Sequence, residues 1–238
     1  MKKSLYLLMS AMLTSVAAMA QNQSEIQRFA FNKGDFGSLR VIDNISVEYI
    51  CNPDSAGYIV FECAPEAAPQ LLFSNDKFTL KIQQQDAVTP MHLPRVRVYS
   101  GYLSSVENSG DSTVYITSVA PAAEISLRVV GNGRIVANNL HAGKVEGKID
   151  TGRGSLVLGG ETSQARLRTV GTGSIQAGAL KAKNAHLTMS GTGSVDCWVT
   201  DELYIKGLGS GKVYVKGNPA VKNRTLGTVK VISMNQQQ

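Results

Sequence analysis

Apolar and polar residues alternate with a period of two over most of this chain, and a Gly-x-Gly phrase interrupts the alternation at regular intervals. The phrase reads Val130-Gly-Asn-Gly-Arg-Ile135, Thr151-Gly-Arg-Gly-Ser-Leu156, Val170-Gly-Thr-Gly-Ser-Ile175, Ser190-Gly-Thr-Gly-Ser-Val195 and Leu208-Gly-Ser-Gly-Lys-Val213, with a degenerate copy, Ser109-Gly-Asp-Ser-Thr-Val114, ahead of them. The first glycines, Gly110, Gly131, Gly152, Gly171, Gly191 and Gly209, lie 21, 21, 19, 20 and 18 residues apart. Four residues beyond each stand Val114, Ile135, Leu156, Ile175, Val195 and Val213; six beyond stand Ile116, Ala137, Leu158, Ala177, Cys197 and Val215. Apolar residues also recur two, four and six places upstream, as in Val129, Leu127 and Ile125, provided the second copy is counted from Thr151. The uneven steps around Gly152 imply one bulge residue there. Alternation on both sides of a corner means two strands per repeat, each with one face inward.

Strands that return every twenty residues or so stack in parallel, at about 4.8 Å per coil. A repeat of this length takes precedence over any local reading of the glycines. The expected fold is all-β: a single-stranded right-handed parallel β-helix, or β-solenoid, with coils of about 20 residues. It requires Ile135, Leu156, Ile175, Val195 and Val213 to stand directly above one another inside the column.

Residues 24–101 show the same alternation without the glycine phrase: Leu39, Val41, Ile45, Val47 and Tyr49, then short strands at 58–61, within 71–82 and at 96–99. Asn52-Pro53-Asp54, Pro65 to Pro69 and Asn75-Asp76 mark turns, the first read as a hairpin turn over Asn52–Gly57. These are expected to be irregular coils closing the hydrophobic end of the stack, since a bare end invites edge pairing. At the start, Lys2 and Lys3 precede an apolar run from Leu5 to Val16 and the small-x-small triplet Ala18-Met19-Ala20, the form of a secretory signal peptide cut before Gln21. The domain reading is therefore a signal peptide over 1–20 and one β-helix domain over 21–238, with irregular coils at 24–101, repeat coils at 102–232 and a loose tail at 233–238. Export implies the periplasm, the cell surface or the extracellular space.

Composition changes this picture little. Without Lys2 and Lys3 the chain carries 22 basic against 18 acidic residues, a formal charge of +4, too mild to indicate nucleic acid. Three cysteines make no disulfide framework. Cys197 falls on an inward ladder, and Cys51 and Cys63 flank a turn in positions that are not directly opposite. Enzymes built on β-helices need clustered carboxylates or a metal site. The outward acids Glu107, Glu146 and Asp196 are scattered, and His92, His141 and His186 lack ligand spacing. No catalytic residue, metal or cofactor is expected. The Gly-x-Gly phrases open no helix and are not nucleotide loops.

One outward row stands apart. Three residues upstream of the anchor come Arg128, Lys148, Arg168, Thr188 and Lys206, with Arg224 continuing the row on the last coil; the neighbouring position reads Ser126, Glu146, Arg166, His186 and Tyr204. Stacked like charges are mildly unfavourable. The functional reading is a groove for an anionic polymer, an acidic polysaccharide or envelope phosphate, with Arg128, Lys148, Arg168, Lys206, His186 and Tyr204 as the ligand-binding residues. The alternative is a solvated face whose long stems cover apolar sheet. Trp198 faces outward beside Cys197, either as a stacking platform or packed under a loop.

The order Phe36-Gly-Ser-Leu-Arg-Val-Ile-Asp-Asn-Ile-Ser-Val-Glu-Tyr49, Phe78-Thr-Leu-Lys-Ile82, Arg95-Val-Arg-Val-Tyr99, the Gly-x-Gly-Ser repeats and Tyr214-Val-Lys-Gly-Asn-Pro219 resembles the putative auto-transporter adhesin, head GIN domain family, exported bacterial β-helix proteins common in Bacteroidetes. The usual family phrase is Ser-Gly-Ser-Gly-Asp. Here the aspartate position holds Arg134, Ser155, Ser174, Ser194 and Lys212, so an acidic ladder is absent. The resemblance implies the fold, export and adhesion, and no catalytic residue. Three classes stay open: an adhesin-like, non-catalytic envelope or surface protein; an envelope-stress or structural scaffold that binds another protein through an exposed coil end or apolar patch; and a carbohydrate-active enzyme.

Overall fold

The structure is a computed structural model that describes residues 26–85 and 93–234; the expected signal peptide, His92 and residues 235–238 lie outside the described residues. In chain order the strands are β1 (Gln27–Asn32), β2 (Ser38–Val41), β3 (Val47–Cys51), β4 (Tyr58–Cys63), β5 (Leu71–Asp76), β6 (Thr79–Gln84), β7 (Val96–Ser100), β8 (Ser105–Asn108), β9 (Thr113–Ser118) and β10 (Ala122–Val129). The long β11 (Arg134–Ile149), β12 (Ser155–Gly171), β13 (Ser174–Gly191) and β14 (Ser194–Gly209) follow, each rounding a bend, and β15 (Lys212–Lys216), β16 (Ala220–Gly227) and β17 (Lys230–Ser233) end the stack. They form a β-solenoid with coils of about 20 residues.

The register is the one the repeat demands. Ile135 pairs with Leu156, Leu156 with Ile175, Ile175 with Val195 and Val195 with Val213, and all five are buried. The same column continues to Val114, Val47 and Val96 at one end and Val231 at the other. Upstream of the corner, Ile149, Thr169 and Met189 align, as counting from Thr151 requires. Each large aliphatic side chain withdrawn from water contributes about 1.5–3 kcal/mol. Such columns outweigh the ordering entropy of coils that have no helix to support them.

The sequence placed residues 24–101 at the end of the stack, and the structure threads them there out of chain order. Strand β2 lies between β6 and β8, and β3 between β7 and β9, all parallel. The coil made first is thus second in space: β6 and β7 form the outer rung, and β8 and β9 return beneath β2 and β3. Antiparallel strands then cover the outer rung, β5 on β6 and β4 on β7, with β1 on β4. Because β4 pairs with β7 and β1, the turn at Asn52–Gly57 is not a hairpin. It is a 3-10 turn over Pro53–Ser55 whose N–H groups at Asp54 and Ser55 donate to the Asn52 side chain. Cys51, Cys63 and Cys197 are all free thiols. The opposite end is bare by comparison: Val221 is 48% and Leu226 73% exposed.

Corner geometry explains the glycines. Gly131, Gly152, Gly171, Gly191, Gly209 and Gly227 all have φ between +78° and +122°. A Cβ on Gly191 would stand 2.3 Å from the Gly171 carbonyl oxygen, and one on Gly209 2.3 Å from that of Gly191. The second glycine of each phrase meets the same limit, with Gly193 2.3 Å from the Gly173 carbonyl oxygen. In the degenerate copy, buried Asn108 holds the corner: its amide donates to the Ser112 and Arg134 carbonyls and its oxygen accepts from the Gly110 N–H.

Three buried acids titrate late, and one of them is Cys63, whose thiol is raised above 9.0 by burial and further by the charge of Glu66. Burial pushes the Tyr49 phenol up to about 12, against a smaller opposing effect of its hydrogen bond with the Ser100 hydroxyl. Burial, aided by the charge of Asp196, pushes the Cys197 thiol up to about 12 from 9.0. A raised folded-state pKa means the native chain binds that proton more tightly, so stability is intact below the unfolded pKa and falls as pH climbs toward the folded one. Urea unfolding should show stability declining from about pH 9. Cys197→Val, matching its ladder neighbour Val215, should make the decline above pH 9 shallower, leaving Cys63 to act there and Tyr49 from about pH 10.

A substitution pair tests the corner. Gly131→Ala has φ +101° and no neighbour within 4 Å of the new Cβ, and should cost only the left-handed penalty of about 1–2 kcal/mol. Gly191→Ala, at φ +122°, should cost roughly 1–3 kcal/mol more because a carbonyl must move. Equal losses on urea unfolding would exclude the carbonyl contact as the constraint.

Candidate functional site

The strands leading into the glycine corner carry two outward columns on one face. By pairing register the first runs Lys81, Arg40, Glu107, Arg128, Lys148, Arg168, Thr188, Lys206, Arg224. The second runs Thr79, Ser38, Ser105, Ser126, Glu146, Arg166, His186, Tyr204, Lys222 over the same rungs. Arg128, Lys148, Arg168 and Lys206 therefore share one row, and His186 and Tyr204 share its neighbour, their rings 5.1 Å apart. Backbone pairing fixes the rung spacing near 4.8 Å, so this row is positioned by the ladder itself. Arg40 and Lys81 extend it and went unread. A signal for Arg40 was available: Ser38-Leu-Arg-Val41 repeats as Ser126-Leu-Arg-Val129.

The row is electrostatically uneven. Glu107 sits between two guanidiniums, 3.0 Å from Arg40 and 3.0 Å from Arg128. Arg128 also meets Asp150 at 2.5 Å, and its pKa rises above the ordinary value, first through the hydrogen bond to Asp150 and further through the charges of Asp150 and Glu107. Lys148 reaches Glu146 at 3.1 Å. Farther along, Arg166, Arg168, Lys206 and Arg224 make no ion pair among the described residues. Beside them lies an open hollow of about 470 Å³ lined by Lys144, Gln164, Ala165, Arg166, Asn184, His186 and Glu202. Charges on both walls of a concavity act in a lower dielectric than those on a flat surface. Apart from Lys81, the cations of this face that lack ion-pair partners among the described residues therefore lie on the coils from Arg166 to Arg224.

Other candidate groups are engaged structurally. Asp196 accepts from the N–H groups of Ala177 and Gly178, holding the second bend of the preceding coil. His141 Nδ1 lies 3.2 Å from the Asn139 carbonyl. Trp198 is half-buried under lysines, with Lys216 Nζ 3.8 Å and Lys181 Nζ 5.7 Å from its ring centroid, so its face is covered by cations. Among the described residues no group of three His, Cys, Asp or Glu side chains could hold a metal ion, and no helix is long and apolar enough to cross a membrane.

Residues 35–219 match the family model described as putative auto-transporter adhesin, head GIN domain. A solved structure of a putative adhesin from Bacteroides fragilis is similar with a TM-score of 0.81 at 18% identity, covering 88% of this chain and 97% of its own. A putative adhesin from Parabacteroides merdae gives 0.66 at 17% identity over 90% and 98%. A structure named as a putative lipid binding protein, from Parabacteroides distasonis, gives 0.70 at 16% identity over 88% and 97%. At these identities the likeness is one of fold. No functionally curated protein matches the chain.

Proposed function

We propose a function from one premise: the chain belongs to the putative auto-transporter adhesin, head GIN domain family. It is an exported, non-catalytic, adhesin-like protein of the cell envelope or surface, and it binds an acidic polysaccharide along the row of Arg128, Lys148, Arg168 and Lys206, with His186 and Tyr204 beside it. The observation that carries this reading is the run of basic side chains from Arg166 to Arg224 that make no ion pair among the described residues. Four cations along one face that hold no carboxylate in an ion pair repel one another mildly. A polyanion running along the rod relieves that repulsion, and long stems covering sheet do not require it.

A protein-binding envelope scaffold is the second reading, favoured by the exposed coil end at Val221, Leu226 and Ile232. Apolar residues at an open strand edge suit a partner strand or surface. The two readings meet on the last coil, where β16 carries both Arg224 and Leu226, but they use different side chains and separate by mutation.

The discriminating measurement is retention on immobilised acidic polysaccharide at low salt. Arg168→Ser with Lys206→Ser should weaken binding by up to about thirtyfold, two exposed charges at up to about 1 kcal/mol each. Arg128→Ser with Lys148→Ser should cost less, because those heads already hold Glu107, Asp150 and Glu146. Retention should fall steeply as ionic strength rises. Undiminished retention of the Arg168 and Lys206 double variant would sink the row.

A further inference from the structure

The capped end of the rod contains a concavity unrelated to the basic row. Phe29 and Phe31 share one face of β1, Leu71 and Phe73 share one face of β5, and Pro65, Ala68 and Pro69 wall the space between them. Aromatic contacts hold its floor, with Phe29 stacked on Phe61 at 5.4 Å and Phe61 against Phe73 at 5.7 Å. The hollow measures about 490 Å³, and every residue lining it is apolar except Lys33. Phe31 remains 41% and Leu72 39% exposed at its edge. A water-facing cap gains nothing by leaving large apolar side chains open around a void.

Lys33 is anchored at the mouth. Its N–H donates to the Gly57 carbonyl at 3.0 Å, and its own carbonyl accepts from Asn75 Nδ2, on β5, at 3.0 Å. The Asn75 amide also lies 3.1 Å from the Gly34 carbonyl and 3.0 Å from that of Asp35, so one side chain ties the loop after β1 to β5. The Lys33 ammonium makes no ion pair among the described residues. Binding pockets are typically apolar hollows of roughly 300–1,000 Å³ with a few polar groups that fix orientation. Here the single orienting group is a cation.

We propose that this hollow binds a single-chain amphiphile with a carboxylate head, its chain against Phe29, Phe31, Leu71 and Phe73 and its head at Lys33. A sugar or peptide backbone would lose its hydration against a lining without hydrogen-bonding side chains other than Lys33. A methylene group occupies about the volume of a water, roughly 30 Å³, so the space holds one chain of roughly sixteen carbons. The unpaired ammonium selects an anionic head over a neutral one.

The test uses the chain beginning at Gln21, titrated with palmitate and, separately, with hexadecan-1-ol, each displacing a fluorescent polyene fatty acid. Saturable one-to-one binding of palmitate is expected. Lys33→Gln should weaken palmitate roughly tenfold, the equivalent of one charge-assisted contact, and leave the alcohol unchanged. Phe31→Ser and Leu72→Ser, both at part-exposed positions, should weaken both ligands about tenfold or more with the far-ultraviolet circular dichroism unaltered. Arg168→Ser should change neither ligand. Absence of palmitate binding, or binding that survives both Phe31→Ser and Leu72→Ser, overturns the proposal. Lys33→Gln weakening both ligands alike overturns the assignment of the head. Adsorption to phosphatidylcholine vesicles without uptake of palmitate overturns it in favour of a membrane-surface patch.

Discussion

At most corners of the repeat, a carbonyl oxygen on one coil occupies the space where the next coil would place a Cβ. That one steric exclusion organises the rod. It forces glycine at the corner, and because the corner recurs at the same point of every coil, it holds strands before and after it in common register. Gly152, Gly191, Gly209 and Gly227 each face the preceding glycine's carbonyl within 2.6 Å of the missing Cβ. The same carbonyls accept hydrogen bonds across the corner, as from Gly154 N–H to Gly131 at 2.9 Å and from Ser210 N–H to Gly191 at 3.1 Å. Close approach and backbone satisfaction are thus two aspects of one contact. Where the phrase degenerates, a buried side chain must supply the bonds instead, and Asn108 does so.

A stack of this kind has two ends, and the chain treats them differently. At one end it departs from chain order, builds an outer rung from β6 and β7, and covers that rung with antiparallel strands and a group of phenylalanines. The detour requires contacts 67 residues apart, such as the Ser105 hydroxyl donating to that of Ser38 at 2.8 Å. Non-local pairing of that length carries a loop-closure cost that the regular coils avoid. The aromatic cap is where apolar area offsets it. The other end has edge strands β16 and β17 with Lys222, Arg224 and Lys230 along them, a charge pattern that discourages edge-to-edge association with a second copy.

The sequence made the repeated part legible because its evidence is redundant: six copies vote on the same register, and the single bulge at the second copy is exposed by the 21 and 19 steps around it. The columns from Ile135 to Val213 and the row from Arg128 to Lys206 follow from that register alone. The N-terminal order did not follow, because one copy of each strand leaves nothing to average over and a stack can accept a coil from either side. Asn52-Pro-Asp is a turn signal under any topology, and it cannot say which strands it joins. Asp150 was also missed as the partner of Arg128. It stands at the bulge, outside the alternation that sorts residues into inward and outward.

The parallel ladder turns a sequence repeat into a row of side chains with fixed spacing, so the chemistry of the face depends on which rungs keep their counter-charges. Glu107, Glu146 and Asp150 lie on the coils nearer the cap and hold Arg40, Arg128 and Lys148. On the later coils the outward acid nearest the row is Glu202, and it lies 3.7 Å from Lys222. The gradient means that the number of basic residues in the row overstates its capacity for an anion. For the proposed role, the rungs from Arg166 to Lys206 have the unneutralised charge, the adjoining hollow and the His186–Tyr204 ring pair together. A rigid spacing pre-organises those groups, so a polymer that matches the rung interval loses its own conformational freedom but demands none from the protein.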